Sequence, residues 1–151
     1  MFNRVCIVGI GLIGGSFGLE LRKRGLAQEV VGVGRRQSTI DDAVQLGSCD
    51  SGTTDLVAGA TGADFVFLAP PVGQMQSICQ QIAPFLAENA IVTDAGSTKA
   101  QIVAECEPIF GDKVSFLGGH PMAGSEQKGA QAAREGLFLN ATWVLTPTAK
   151  T

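Results

Sequence analysis

Histidine is almost absent from this chain: one residue, His120, stands among 151. The four cysteines, Cys6, Cys49, Cys79 and Cys106, are scattered, and no two make a CxxC or other metal-ligand spacing. One imidazole and dispersed thiols do not assemble a tetrahedral zinc site, so no metal is expected. The same scatter argues for reduced structural thiols, and hence for a cytoplasmic protein. Charge is scarce as well: 17% of residues are charged, and the net charge is −3. Basic residues gather only as Arg22-Lys23-Arg24 and Arg35-Arg36, too little for a nucleic-acid surface. Long apolar runs are missing. The apolar opening from Val5 to Ile10 is too short and too glycine-rich for a leader peptide. No stretch approaches the roughly 20 residues of a membrane span, so no membrane partner is expected. There is no internal repeat and no low-complexity tract.

What is present suits one ordinary domain with a core of its own: 45% of the residues are hydrophobic. Short apolar runs alternate with helical patterns. Strands are expected at Val5–Val8, Val30–Val33, Phe65–Leu68, Ile91–Thr93, Val114–Leu117 and Trp143–Leu145. Helices are expected at Ile13–Arg24, Thr39–Leu46, Val72–Leu86, and from a Ser97 cap to about Phe110. Gly25 and Gly47 end the first two, and the cations closing the first suit its dipole. Ser38 is the candidate cap of the second. The Gly/Thr-rich stretch from Cys49 to Gly62 carries no clear pattern. Strands apolar throughout and separated by helices imply a mainly parallel sheet with helices on both faces. Right-handed crossovers then make the fold a doubly wound α/β single domain.

Gly9-Ile10-Gly11-Leu12-Ile13-Gly14 spells GxGxxG. In a chain with 20 glycines the spacing alone is a weak signal. Its place, directly after one expected strand and opening a helix, makes it a Rossmann-type dinucleotide cradle rather than a structural glycine turn. Gly9 permits the tight turn, Gly11 lets a pyrophosphate approach, and Gly14 lets helix and strand pack closely. Backbone N–H groups at the helix start, including those of Leu12 and Ile13, then hold the anion. The second strand ends in Gly34-Arg35-Arg36, and no carboxylate occurs between Glu29 and Asp41. An NAD site usually places Asp or Glu there, for the ribose 2′-hydroxyl. Two arginines suit a 2′-phosphate instead, with Ser38 and Thr39 adding hydroxyl donors. NADP is therefore expected over NAD, which stays possible; the alternative is that Arg35 and Arg36 are solvated surface charges.

In an open α/β sheet, ligands sit beyond the carboxyl ends of the strands. Three such ends carry unusual residues. Ala69-Pro70-Pro71 can wall the dinucleotide. Asp94-Ala95-Gly96-Ser97-Thr98-Lys99 follows the next strand, and its Gly96 is expected in the same wall. Gly118-Gly119-His120-Pro121-Met122-Ala123-Gly124-Ser125-Glu126 follows the one after. His120, in a Gly/Pro-rich loop on the ligand side, can accept a hydroxyl proton, as oxidation of an alcohol by hydride transfer requires. A hydrogen-bonded structural role is the alternative. Ser97 can orient the imidazole or the nicotinamide while capping its helix. Asp94 and Lys99 are either part of the site or a structural pair.

Taken together, GLIGGS, TDAGSTK and GGHPMAGSE, each after a strand, resemble the successive signatures of the prephenate/arogenate (cyclohexadienyl) dehydrogenase family of tyrosine biosynthesis. The closing NATWVLTPT is similar to that family's last stretch before its second domain. The resemblance spans essentially the whole chain, and HPMAGSE is its most discriminating piece. It implies oxidative decarboxylation of prephenate or arogenate. His120 then bonds the substrate hydroxyl and assists its deprotonation. Ser97 lies between that histidine, the hydroxyl and the nicotinamide. Glu126 matches an acidic position near the substrate mouth, and Arg35 the 2′-phosphate reader of NADP-preferring members. The family's second, helical domain, which dimerises, completes the pocket and supplies an arginine, is expected to lie outside residues 1–151. The chain alone is therefore expected to bind cofactor, to turn over substrate poorly and to form no strong dimer. Two other readings fit part of this pattern. One is the cofactor domain of another 6-phosphogluconate/β-hydroxyacid-dehydrogenase-like enzyme. The other is a non-catalytic NADP-binding module.

Overall fold

The computed structural model describes residues 1–151. Seven strands form one sheet: β1 (Phe2–Val8), β2 (Ala27–Val33), β3 (Ser51–Thr53), β4 (Phe65–Leu68), β5 (Ile91–Asp94), β6 (Ser115–Pro121) and β7 (Trp143–Thr146). Their order is β3-β2-β1-β4-β5-β6-β7. Every pairing is parallel except β6 with β7. Five α-helices connect them: α1 (Leu12–Lys23), α2 (Gln37–Leu46), α3 (Leu56–Ala60), α4 (Met75–Ile82) and α5 (Lys99–Phe110). The order runs outward from β1 to β3 and, on the other side, from β4 to β6. The direction of winding therefore reverses between β1 and β4, where a doubly wound sheet opens a ligand crevice.

Successive residues of β1 show why the strands read as apolar throughout. Val5 and Ile7 join the core on one face, while Cys6 and Val8 join the core on the other. Helices cover both faces, so neither half of the period-two pattern can be polar. Phe17 of α1 stacks on Phe67 of β4, ring centroids 4.1 Å apart, and Trp143 of β7 leans on both at 6.0 Å. All four cysteines are free and buried. Burial pushes the Cys6 thiol up to about 12, which keeps it protonated and unreactive. No three His, Cys, Asp or Glu side chains gather as a metal site would need. No helix is long and apolar enough to cross a membrane.

Several expectations need correction. The unpatterned stretch contains β3 and α3, with Asp55 Oδ1 capping α3 by accepting from Ala58 N at 3.0 Å. A three-residue edge strand of Ser, Gly and Thr offers no apolar run to detect. Ser38 is not a cap, because α2 already starts at Gln37 and Arg36 takes the cap position in extended conformation. Ser97 is not a cap either; Thr98 holds that position, without a side-chain bond. The helix expected over Val72–Leu86 is α4 flanked by single 3-10 turns, the second of which contains Pro84. Finally, β6 does not stop at Leu117 but runs on through Gly118 and Gly119 to Pro121. A Cβ on Gly118 would lie 2.4 Å from Thr146 Oγ1, and one on Gly119 would lie 2.8 Å from Asp94 O. These glycines are strand positions with close neighbours, not strand breakers.

Candidate functional site

The crevice is built first by backbone. Gly9 turns the chain out of β1 with φ +90°, and a Cβ there would lie 2.7 Å from Ala69 O. A Cβ on Gly14 would lie 2.1 Å from Gly9 O, so only glycine lets α1 start this close to β1. At Gly11 a Cβ would meet nothing within 4 Å, because this residue faces the crevice. The start of α1 has no side-chain cap and no acidic residue in its first turn. Its first N–H groups and the positive end of its dipole are left for an anion.

Two cavities share this cradle. One, of about 480 Å³, lies over the ends of β1, β2 and β4 and includes Gly34, Arg35, Arg36, Thr39 and Ala69–Pro71 in its lining. The other, of about 570 Å³, continues past Leu12, Ile13 and Gly14 to Ser97 and His120. Gly9, Gly11, Ala69, Pro71, Lys128 and Gly129 line both, so the two form one groove. Arg35 and Arg36 are exposed at one end and enter no ion pair.

At the other end Ser97 Oγ lies 3.2 Å from His120 Nε2. His120 stands near the end of β6 rather than in a loop beyond it, opposite Val144 of β7. Although the pairing with β5 ends at Leu117, the ladder with β7 continues through His120 and holds the imidazole more rigidly than a loop would. Beneath it, the Asp94 carboxylate is wholly buried. Its Oδ2 accepts from Gly96 N at 2.8 Å and from Lys99 Nζ, and its Oδ1 accepts from Gly119 N at 3.1 Å. Lys99 Nζ also donates to Gly119 O at 2.6 Å. Burial pushes the Lys99 ammonium down, and Asp94 beside it pulls it back up. The Asp94–Lys99 pair thus ties the loop bearing Ser97 to the backbone next to His120.

Residues 17–151 match the nucleotide-binding domain of prephenate dehydrogenase. The chain belongs to that family. The prephenate dehydrogenase of Lactococcus lactis subsp. cremoris is 41% identical over 146 residues, which is 95% of this chain and 41% of that protein. A crystal structure of Aquifex aeolicus prephenate dehydrogenase in complex with hydroxyphenyl propionate and NAD+ superimposes with a TM-score of 0.91. It is 38% identical and covers 100% of this chain and 52% of its own. Synechocystis arogenate dehydrogenase superimposes at 0.88 with 38% identity, covering 97% of this chain and 51% of that one. The chain therefore spans about half the length of these relatives or less.

Within this prephenate dehydrogenase nucleotide-binding domain, most of the residues singled out in the sequence line the groove; besides Asp94 and Lys99, three do not. Gly96 is buried behind the wall, where a Cβ would lie 2.5 Å from Ile102 Cδ1. Ser38 is exposed and lines neither cavity, whereas Thr39 lines the first. Glu126 is exposed and lines neither cavity, although Ser125 and Gln127 beside it do. The groove also contains residues that the sequence did not flag: Thr54, Leu56, Gln74, Ile78 and Lys128. Thr54 and Leu56 lie in the stretch without pattern. Lys128 sits among Gly, Ser, Glu and Gln, a composition that reads as an ordinary solvated loop.

Proposed function

We propose that residues 1–151 are the cofactor half of an enzyme that oxidatively decarboxylates prephenate or arogenate with NADP. The observation that carries this reading is the groove itself. It has a glycine cradle at its middle, two unpaired arginines at one end and a serine–histidine pair at the other. The cradle fits a dinucleotide because Gly9 and Gly14 leave no room for a Cβ while Gly11 opens onto free space. Gly9–Gly14 would hold the pyrophosphate. Arg35 and Arg36, with no carboxylate between Glu29 and Asp41 at the end of β2, would read the 2′-phosphate. Ala69, Pro70 and Pro71 would form the wall.

When bound, the nicotinamide supplies the acceptor for a hydride. The residues of this chain handle the proton. The His120 imidazole takes the proton of the substrate ring hydroxyl as the hydride leaves the carbon that bears it. Ser97, within hydrogen-bond reach of His120 Nε2, fixes the ring and can bond the same hydroxyl. The ring carboxylate leaves as carbon dioxide. The electron pair of the broken bond closes the aromatic ring, and the phenolic oxygen recovers the proton. A second, helical domain, matching the remaining half of the relatives, would close the open side of the groove and dimerise, with Glu126 at the substrate mouth. Buried free thiols suit a reducing compartment, which supports a cytoplasmic enzyme.

His120→Asn in the enzyme with both domains tests the reading. Activity is expected to fall about 10²- to 10⁴-fold while cofactor affinity is kept. Activity within a few-fold of the unsubstituted enzyme would overturn His120 as the proton acceptor.

A further inference from the structure

Between β6 and β7 the chain doubles back across α1 instead of turning directly. Ala130 and Ala133 are buried there. A Cβ on Gly15 would meet Ala133 Cβ at 2.7 Å, so glycine lets this strap lie flat on the helix. Three contacts pin it along α1. Ser16 Oγ, wholly buried, accepts from Arg134 N at 3.0 Å. Glu20 Oε1 accepts from Gly136 N at 2.8 Å. Lys23 pairs with Glu135. At the other end, Met122 N donates to Thr142 O at 2.8 Å where β6 and β7 finish pairing. Residues 123–129 span the gap between these anchors, with Gly124 at φ +150° and Gly129 at φ +90°.

Lys128 stands on that span. It is exposed, enters no ion pair and lines both cavities of the groove. Arg35 and Arg36 lie at one end and His120 at the other. Of the Lys and Arg side chains that line the groove, Arg35, Arg36 and Lys128, only Lys128 lines both cavities, together with Gly9 and Gly11. The glycine loop itself carries no charge. A pyrophosphate brings two negative charges, whereas a helix N-terminus offers about half a positive charge.

We propose that Lys128 neutralises the pyrophosphate of the dinucleotide, held over the glycine loop by the strap pinned to α1. This deepens the cofactor reading above and rests on it. Because the strap leaves the strand bearing His120 and ends on the helix of the cradle, the cation closes the groove at its middle. Lys128 senses the phosphates common to NADH and NADPH, so its loss does not discriminate between them.

The test is calorimetric titration of the chain with NADH and with NADPH, for Lys128→Met and Lys128→Arg, at about 50 and about 200 mM salt. Lys128→Met is expected to weaken both cofactors about tenfold, by the same factor, and to flatten the salt dependence. Lys128→Arg is expected to restore both affinity and salt dependence. Thermal melting is expected to be unchanged, since Lys128 has no partner to lose. Unchanged affinity in Lys128→Met would overturn the proposal. So would a loss that Lys128→Arg does not rescue and that leaves the salt dependence alone. If the unsubstituted chain binds neither cofactor, the cofactor reading itself fails first, a result distinguishable from either of these.

Discussion

Gly11 and Gly14 are three residues apart, at the cap and in the first turn of α1, yet a methyl group would mean different things at each. On Gly14 it would sit 2.1 Å from Gly9 O, and on Gly11 it would meet nothing. Gly14→Ala is expected to cost about 1–3 kcal/mol of stability, because helix and strand must separate. Gly11→Ala, in extended backbone, is expected to fold and melt like the unsubstituted chain. It should nevertheless bind cofactor at least about tenfold more weakly, since the methyl fills the pyrophosphate's approach. Melting curves and titrations on both variants check this; a Gly11→Ala variant that binds normally would contradict the cradle. At this scale the sequence was informative, because the turn at Gly9 and the close approach of Gly14 to Gly9 are local to the loop and the first turn of α1. The position of Arg35 and Arg36 at the outer end of the groove was legible too, because they stand immediately after an apolar strand.

The elements depend on contacts that sequence spacing does not show. Asp94 closes β5, opens the loop of Ser97 and bonds the backbone of β6 beside His120. The sequence left the role of Asp94 and Lys99 open, because nothing local says that Gly119 lies between them. It also ended β6 too early, because two glycines resemble a break unless the crowding by Thr146 and Asp94 is known. Asp94→Asn leaves Lys99, with a side chain only 12% exposed, without its counter-charge. The expected cost is about 3–5 kcal/mol at neutral pH. The folded-state pKa of Lys99 is already lowered, so its protonated form is the one that burial disfavours in the folded state. The stability deficit should therefore shrink as pH rises toward 10.5, and Lys99→Met added to Asp94→Asn should recover much of it. Denaturant unfolding of the unsubstituted chain and the two variants at several pH values tests this. A deficit independent of pH would contradict the pairing.

Across the whole molecule, the groove joins parts far apart in sequence. The cradle comes from residues 9–14, its outer end from residues 34–39, and its inner end from Ser97 and His120. The strand–helix alternation announced the sheet that aligns them, and the reversal between β1 and β4 set where they meet. Lys128 could not be read this way, because its place depends on a strap that returns from β6 to α1. Direct titration of residues 1–151 with NADPH and with NADH, for the unsubstituted chain and for Arg35→Ala, is the most direct test. NADPH is expected to bind about tenfold or more tightly than NADH, and Arg35→Ala to abolish the difference. Equal or tighter binding of NADH by the unsubstituted chain would make Arg35 and Arg36 surface charges and contradict the NADP assignment.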